Sequence, residues 1–277
     1  MASGKPSDFE IPNSPNVIQS LARGLAVIRA MGGASAPLTI TEVAGSTGLT
    51  RAGARRILLT LETLGYVRLK GRHFALTPRI MELGKAFEGS DVLWDIAEPH
   101  LNALVSETME TASAGVLDDL DVVYVLRVKP ARRLHFALGP GARLPAHVSS
   151  MGRVLLADLP PRQLDFYFAR ATIERYTAST VVDEKALRRV IAQAGKQGYA
   201  IVNGEMDETI TGISVPVRNP SGQAVAALNI STAQARVSQD EVRNRILPRL
   251  LGAATQIQRS LRSKEAARVG RAKGAAR

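Results

Sequence analysis

The sequence predicts an α+β protein: a small, mainly helical N-terminal domain, then a larger domain with a mainly antiparallel sheet flanked by helices. Three observations predict this organisation. The chain has 277 residues, a length that favours two domains. Its positive charge is concentrated towards the two ends. Its apolar residues follow a helical spacing up to residue 64 and the alternating spacing of strands after residue 110.

Composition excludes several classes of protein. Hydrophobic residues make up 45% of the chain and charged residues 22%, as in proteins that bury a core. No apolar run approaches the roughly 18 residues of a membrane helix, and residues 1–15 lack the apolar stretch of a secretion signal. The chain has no cysteine, and its four histidines do not pair at metal-ligand spacing. We therefore expect a cytoplasmic protein with no metal and no cofactor.

The distribution of charge indicates a polyanion as partner of the first domain. Residues 16–80 contain nine Arg or Lys and two Glu, a net charge of +7. Residues 81–258 contain 19 basic and 20 acidic residues, a net charge of −1, whereas residues 259–277 contain seven and one, a net charge of +6. A basic module beside a neutral body is typical of nucleic-acid-binding proteins. We interpret the basic tail as a solvated, disordered extension, with direct DNA contact as the alternative.

Two helices and a tight turn are predicted first. The first helix covers residues 17–31 and is followed by two glycines. Its predicted apolar face is formed by Val17, Leu21, Leu25 and Ile28. A second, short helix has Thr41 as its predicted N-cap and contains Ala44, four residues before Gly48. A helix-turn-helix needs a small residue where its helices cross and favours glycine at a turn position with positive φ, so this pattern predicts that motif.

A third helix and a hairpin complete the N-terminal domain. Thr50 is predicted to cap a helix that runs from Arg51 to about Leu64. The predicted core stripe of this helix consists of Ala54, Ile57, Leu58, Leu61 and Leu64. Two alternating segments, residues 66–69 and 73–76, are joined by Lys70, Gly71 and Arg72 and form two short strands. The result is a winged helix-turn-helix over residues 16–79, after a disordered arm at 1–15.

The remaining chain divides into a connection, a strand-rich domain and a tail. Residues 80–109 are predicted as linker helices with a break near Gly89, residues 110–261 as the second domain, and residues 262–277 as the disordered tail. Strands are predicted at residues 111–117, 121–128, 134–138, 198–202, 212–217 and 225–230. Helices are predicted from about residue 150 to 157, at 183–197, and at 238–261 with a kink near Pro248.

Six segments of this sequence, in this order and spacing, resemble a known family. They are SLARGLAVIRAM, LTITEVAGSTGLTRAGARRILLTLETLGYVR, RHFALTPRIMELG, ARLPAHVSSMGRVLLA, GYAIVNGE and VAALNISTAQARVS. Over about residues 17–250 the chain resembles the IclR family of bacterial transcription regulators, nearest the branch that controls catabolism of protocatechuate, 4-hydroxybenzoate and related aromatic acids. The resemblance implies a winged helix, a connecting helix, a GAF-like effector domain, and dimers that assemble into tetramers on DNA.

The third helix is the predicted DNA-reading element. Its free face combines Arg51, Ala52, Arg55 and Arg56, and arginine can bind guanine O6 and N7 together in the major groove. Thr41 and Thr50 are predicted to bind phosphate. The wing residues Arg68, Lys70 and Arg72 are predicted to meet phosphate or the minor groove. The alternatives are a merely solvated arginine face and ordinary hairpin charges.

The predicted effector site begins at a strand-to-helix turn. The start of a helix favours a carboxylate, because its first N–H groups lack partners and its dipole is positive there. From the family we carry over Ser149, Ser150, Met151 and Gly152 as effector-binding candidates. A helix cap is the alternative role of the two serines. Asn229 and Ser231 alternate onto one face of a strand and are predicted to bind the polar end of a ligand.

Two further groups of residues are weighed for the same site. Glu205 lies in an acidic segment that resembles the family, although Thr209, Ile210 and Thr211 stand where relatives have a Gly-Leu-Arg-like turn. Glu205 is kept as an effector-binding candidate. Arg132, Arg133 and His135 approach a predicted strand, where one of them could neutralise a carboxylate. A solvated surface is the preferred interpretation of those three.

These observations favour a ligand-responsive, DNA-binding regulator of a catabolic operon, with a small aromatic or alicyclic carboxylic acid as effector and double-stranded operator DNA as partner. We expect a homodimer or a dimer of dimers. One alternative is a nucleic-acid-binding protein indifferent to sequence, driven by the basic ends. The other is an enzyme with His147 as base and Ser149 or Ser150 as nucleophile, against which the absence of a G-x-S-x-G motif argues.

Overall fold

The structure is a computed structural model that describes residues 14–88, 92–130 and 139–274, with side chains except at 85–88 and 266–274. The chain divides at residue 90 into two compact units. The two units are described separately below.

The first unit is a winged helix-turn-helix. Its elements are helices α1 (Gln19–Gly32), α2 (Ile40–Thr47) and α3 (Arg51–Thr63), strands β1 (Val67–Lys70) and β2 (His73–Leu76), a 3-10 turn (Pro78–Ile80) and helix α4 (Met81–Glu88). The strands are antiparallel, with Lys70 paired to His73, so Gly71 and Arg72 form a two-residue turn. Gly71 takes a φ of 65°, in the region that favours glycine. The wing predicted from the sequence is confirmed.

The core of the first unit lies where the three helices meet the wing. Ala54 and Leu58 of α3 are fully buried, together with Val27 of α1 and Val43 of α2. Ala44 is also buried, and Gly48 ends α2 with a φ of 68°. The crossing residue and the turn glycine of the predicted helix-turn-helix are therefore confirmed, as is the cap of α3, where Gly53 N–H donates to Thr50 Oγ1 at 3.1 Å.

The buried face of α1 and the end of α3 differ from the prediction. The buried face of α1 consists of Ala22, Ala26, Val27 and Met31. Leu21 and Leu25 are instead exposed, because the small alanines allow the closer approach to the other helices. Leu64, placed in the core stripe of α3, is also exposed and follows the last helical residue.

The N-cap of α2 is Thr39, where Thr41 was predicted. Thr39 Oγ1 accepts from Glu42 N–H at 3.3 Å, and the Glu42 carboxylate accepts from Thr39 N–H at 2.7 Å. This reciprocal pair of hydrogen bonds is a capping box. It satisfies the backbone N–H of Thr39 as well as that of Glu42, whereas a lone cap would satisfy only one of them. The hydrogen bonds from Thr39 lower the pKa of the Glu42 carboxyl.

The second unit combines eight further helical segments and turns with six strands. Its helices are α5 (Val92–Thr108), α6 (Ser150–Leu156), α7 (Pro161–Arg170), α8 (Glu184–Gln197), α9 (Gln239–Glu241) and α10 (Leu247–Gly274). A 3-10 turn (Ala146–Val148) precedes α6, and a π-helical turn (Val242–Ile246) precedes α10. Its strands are β3 (Thr111–Asp118), β4 (Asp121–Val128), β5 (Arg143–Pro145), β6 (Ala200–Asn203), β7 (Ile210–Arg218) and β8 (Ala224–Ala233).

The six strands form one antiparallel sheet in the order β5-β4-β3-β8-β7-β6. Helices α5 and α10 cover one face, where Leu101, Ile246 and Leu250 pack against Leu228 and Ile230 of β8. Helices α6 and α8 lie on the other face, where Met151 and Ile191 pack with Tyr124 of β4. The order brings β3 and β8 together at the centre of the sheet although most of the domain separates them in sequence. The α+β class and its antiparallel sheet are confirmed.

Several predicted segments of the second unit need correction. Helix α5 belongs to its core and is not merely a linker. The segments α7 and β5 were not predicted at all. The tail expected to be disordered from residue 262 is helical as far as Gly274, as the continuation of α10. Near Pro248, where a kink was predicted, a π-helical turn ends at Ile246 and α10 begins at Leu247. The predicted strand at 134–138 and the break at Gly89 lie outside the described residues.

Within the described parts of the chain, no helix is long and apolar enough to cross a membrane. Among the same residues, no three His, Asp or Glu side chains come together as a possible metal-ion site.

Candidate DNA-binding surface and effector site

Helix α3 separates its buried face from a basic, exposed face. Ala54, Leu58 and Leu61 are buried against the rest of the first unit. Arg51, Ala52, Arg55 and Arg56 are all exposed. Small and guanidinium side chains therefore share the solvent side of a thirteen-residue helix, the arrangement that direct readout of a major groove requires. The structure brings the four predicted residues of this helix together on one surface.

The other predicted DNA contacts are also exposed. Arg68 and Lys70 lie on β1 and Arg72 in the turn of the wing. Thr41 lies in the first turn of α2 and is exposed, although it does not cap that helix. Thr50 is exposed too, but its hydroxyl already accepts from Gly53 N–H. A hydroxyl in that position can still donate to a phosphate oxygen, since it has one donor besides its acceptor sites.

In the second unit, the turn at residues 149–152 is tightly packed. Ser149 is the N-cap of α6, and its Oγ accepts from Gly152 N–H at 2.9 Å. A Cβ on residue 152 would lie 2.0 Å from the carbonyl oxygen of Ala146, so only glycine fits there. Met151 is fully buried, with its Sδ beside Gly115 of β3. Close packing against the preceding turn thus accounts for Gly152 and Met151, and the cap of the helix accounts for Ser149.

Ser150 points away from that turn into a buried polar cluster. Its Oγ lies 2.8 Å from Ser214 Oγ on β7. Asn229 Nδ2 on β8 donates to both hydroxyl oxygens at 3.2 Å. Ser231 Oγ donates to Asn229 Oδ1 at 2.8 Å. The structure therefore joins three predicted residues, Ser150, Asn229 and Ser231, in one network that we call the hydroxyl–amide cluster, with Ser214 as its fourth member.

Two unpredicted polar residues lie beside this network in the strand register. Asn229 pairs with Ser113 of β3, and Ser113 pairs with Arg127 of β4. Ser113 is fully buried, and its Oγ has no hydrogen-bond partner among the described residues. Within the same described part of the chain, Arg127 has two buried nitrogens, Nε and Nη1, without a hydrogen-bond partner. A serine and an arginine that interrupt apolar strands are the sequence signal that indicates such a site.

Arg127 lies against an aromatic ring. Its Cζ is 5.1 Å from the centre of the Tyr124 ring, within cation–π range. Burial raises the pKa of the Tyr124 hydroxyl, and the positive charge of Arg127 opposes that rise. Tyr124 also packs with Met151 and Val154 of α6, so the guanidinium lies on the α6 side of the sheet.

Glu205 does not join the hydroxyl–amide cluster. Its carboxylate accepts from Arg153 Nη2 of α6 at 2.6 and 2.8 Å, and from Val181 N–H at 3.2 Å. Both members of this ion pair are buried. Since Arg153 follows the turn at 149–152, the pair holds α6 in place. A direct contact of Glu205 with the effector stays a prediction.

His147 is buried in the turn before α6 and is not hydrogen-bonded to the nearby serines. Its Nε2 lies 3.2 Å from the carbonyl oxygen of Glu174, and burial lowers its pKa. The serine hydroxyls make the cap and cluster contacts described above. The nucleophile and base pairing considered from the sequence is therefore not formed among the described residues. Arg132, Arg133 and His135 lie outside them.

Family comparison agrees with both units. Residues 20–71 match the IclR helix-turn-helix domain, and residues 87–259 match the C-terminal domain of the bacterial transcriptional regulator IclR. Together the two matches cover most of the chain.

Individual relatives point in the same direction. The chain is 38% identical to the Pca regulon regulatory protein of Pseudomonas putida, over 88% of this chain and 84% of that protein. It is 32% identical to the p-hydroxybenzoate hydroxylase transcriptional activator of Acinetobacter baylyi, over 91% and 95%. The crystal structure of an IclR homologue from Microbacterium hydrocarbonoxydans, complexed with 4-hydroxybenzoate, superposes with a TM-score of 0.77 at 26% identity, over 88% and 99%.

Proposed function

The chain belongs to the IclR family of bacterial transcription regulators, and from this premise we propose that an aromatic carboxylic acid bound in its second unit controls its binding to an operator. The protein is a ligand-responsive, DNA-binding regulator of the aromatic-catabolism branch. The effector and the residues that contact each ligand are the proposed part.

The DNA contacts are assigned to the first unit. Helix α3 lies in the major groove, where Arg55 and Arg56 bind base edges and Arg51 lies in the first turn beside Ala52. Thr41 and Thr50 contact phosphate from the starts of their helices, and the wing contributes Arg68, Lys70 and Arg72. The shared exposure of these side chains on a net +7 module supports the assignment.

The effector contacts are assigned to the α6 side of the sheet. The single observation that carries this assignment is the hydroxyl–amide cluster, in which four polar side chains, three of them buried, hydrogen-bond to one another between α6 and the sheet. The 4-hydroxybenzoate complex of the Microbacterium homologue supports an aromatic acid as the ligand class.

Thermal unfolding of the full chain with aromatic acids tests this proposal. An acid present at about 100 times its dissociation constant should add roughly 2.7 kcal/mol to the free energy of unfolding, whereas the alcohol or amide analogue should add less. The acid should also change affinity for the operator. If no aromatic acid changes the melting temperature or the affinity for the operator, the proposed effector class is wrong.

Ser150→Ala tests whether the effector binds at the hydroxyl–amide cluster, with Ser106→Ala as its control. It should reduce the stabilisation by 4-hydroxybenzoate while leaving operator binding without ligand nearly intact, because the DNA-reading residues belong to the other unit. Ser106→Ala, at an exposed position of α5, removes the same group elsewhere and should change neither. Equal ligand responses in the two variants would place the effector away from the hydroxyl–amide cluster.

A two-fold assembly completes the proposal. One recognition helix with three or four base-reading side chains gives limited specificity, and two such helices spaced by one DNA turn multiply it. We assign a homodimer or a dimer of dimers on this ground.

A further inference from the structure

The row of paired residues across the centre of the sheet contains a partly buried guanidinium, that of Arg127, two of whose nitrogens are buried without a hydrogen-bond partner among the described residues. Arg127 of β4, Ser113 of β3, Asn229 of β8 and Ser214 of β7 are consecutive partners in the strand register. Directly paired residues point to the same face of a sheet, and Asn229 contacts Ser150 of α6. All four side chains therefore point to the α6 side.

The two ends of this row differ in how well their polar groups are satisfied. At one end, Asn229 and Ser214 are fully engaged with Ser150. At the other, Arg127 Nε and Nη1 and Ser113 Oγ are buried and have no hydrogen-bond partner in the part of the chain that the structure describes. Arginine stays charged in proteins, and a buried charge without a partner is costly. The unsatisfied end thus matches a ligand that brings a negative charge.

The distance along the row suits a single aromatic ring. Neighbouring strands lie about 4.8 Å apart, so two strand spacings separate the backbones of Arg127 and Asn229 by roughly 10 Å. A benzene ring with a carboxylate at one end and a para hydroxyl at the other, plus a hydrogen bond at each end, spans a distance of this order. Ser113 lies under the middle of that span.

We propose that Arg127 binds the carboxylate of the effector, that the aromatic ring crosses β3 over Ser113, and that the para substituent of the ring contacts the hydroxyl–amide cluster. This proposal rests on the proposed function, because it specifies how an aromatic acid binds in the second unit. It makes Arg127 the residue that selects for acids, and Ser150 with Asn229 the residues that select for a polar para group.

The start of α6 is the weaker candidate for the carboxylate. Gly152 N–H, one of its few donors, already bonds to Ser149 Oγ, and α6 has only seven residues. A guanidinium can make two charge-assisted hydrogen bonds to a carboxylate, a stronger and more directional contact. The carboxylate is therefore assigned to β4, and the uncharged end of the ligand to the side chain of Ser150.

Calorimetric titration of the full chain with 4-hydroxybenzoate, 4-hydroxybenzamide and benzoate tests the assignment. Arg127→Met retains an apolar chain about as long as the aliphatic part of arginine and removes the guanidinium with its charge. It should weaken 4-hydroxybenzoate and benzoate by about tenfold or more, the usual loss for a hydrogen bond to a charged group, while changing the amide little. Arg189→Met, at an exposed position of α8, is the matched control and should change no ligand.

Ser150→Ala tests the opposite end of the ligand. It should weaken 4-hydroxybenzoate several-fold and leave benzoate unchanged, because benzoate has no para hydroxyl. Equal weakening of both acids would overturn the proposed orientation.

Three other results of these titrations would lead to three different conclusions. If Arg127→Met keeps the wild-type preference for acid over amide, the carboxylate assignment is wrong while the proposed function stands. Equal losses for acid and amide, with a lower melting temperature without ligand, would give Arg127 a structural role against Tyr124 and also overturn the assignment. Failure of the wild-type chain to bind any of the three ligands would overturn the aromatic effector together with this proposal.

Discussion

The guanidinium groups of α3 offer the most direct test at the residue scale. Replacing Arg55 or Arg56 by Ala should relax base preference at one or two operator positions, with a loss of about 1–3 kcal/mol for each bidentate contact to guanine. Binding of the variants to a set of operators with single base changes measures this preference. Arg23→Ala, on the exposed side of α1, is a charge-matched control that should keep the wild-type preference. Two variants with unchanged preference would remove Arg55 and Arg56 from base reading.

The buried imidazole of His147 predicts a dependence of stability on pH. Burial lowers its pKa below the ordinary 6.5, so the unfolded chain takes up a proton at a higher pH than the folded chain does. The stability that neutral His147 contributes is therefore present above pH 6.5 and is lost as the pH falls through its lowered value. The melting temperature should decrease between pH 7.5 and pH 5.5 for this reason.

His147→Gln isolates that contribution. Glutamine retains an amide that can donate to the Glu174 carbonyl but does not titrate, so the variant should lose less stability over the same pH interval even if its melting temperature at pH 7.5 is lower. Parallel pH profiles for the two proteins would assign the loss to other groups.

At the scale of single elements, the contact between α6 and the preceding turn leaves no room for a side chain at Gly152. Gly152→Ala should destabilise the second unit by about 1–3 kcal/mol or more, because its Cβ would overlap the Ala146 carbonyl. Gly252→Ala is the matched control: it lies within α10, nothing surrounds its Cβ within 4 Å, and it should gain up to about 1 kcal/mol from helix propensity. Thermal melts compare them, and a Gly152→Ala variant that melts like the wild type would refute the clash.

The elements show which structural features a single sequence can predict. Helix α3 was predicted to within one residue at its end, because a cap, a small-residue turn and an apolar stripe all agree there. Helix α7 was missed because three of its ten residues are aromatic, a type that favours strands, and β5 because it has only three residues. The buried face of α1 was predicted wrongly because leucine is more hydrophobic than alanine, which favoured Leu21 and Leu25 as the buried residues. Close packing of helices favours small residues, and Ala22 and Ala26 are buried instead.

The candidate site was predictable only in part. Ser150 and Asn229 could be proposed from their segments, but their contact joins residues 79 positions apart and depends on the sheet order. Ser113 and Arg127 enter the site through the register of β3 with β8 and with β4, which strand patterns alone do not determine.

For the whole molecule, we predict a two-fold assembly on a two-fold or repeated operator. Sedimentation of the full chain should give a dimer or a tetramer, and footprinting should give two protected half-sites one DNA turn apart or a multiple of it. A monomer that protects a single half-site would contradict the assembly.

The continuation of α10 has a consequence for proteolysis. Leu261 still packs against the core of the second unit, but Arg262, Ser263, Lys264 and Glu265 are exposed, and the helix continues to Gly274, about 20 Å further along its axis. A stretch of helix with exposed side chains, such as residues 262–265, opens at little free-energy cost, so trypsin should cut after Arg262 or Lys264 before it cuts in the folded units. Mass spectrometry of a brief digest should find a fragment that ends there. An uncut tail would mean that an assembled copy of the chain, or bound DNA, shields it.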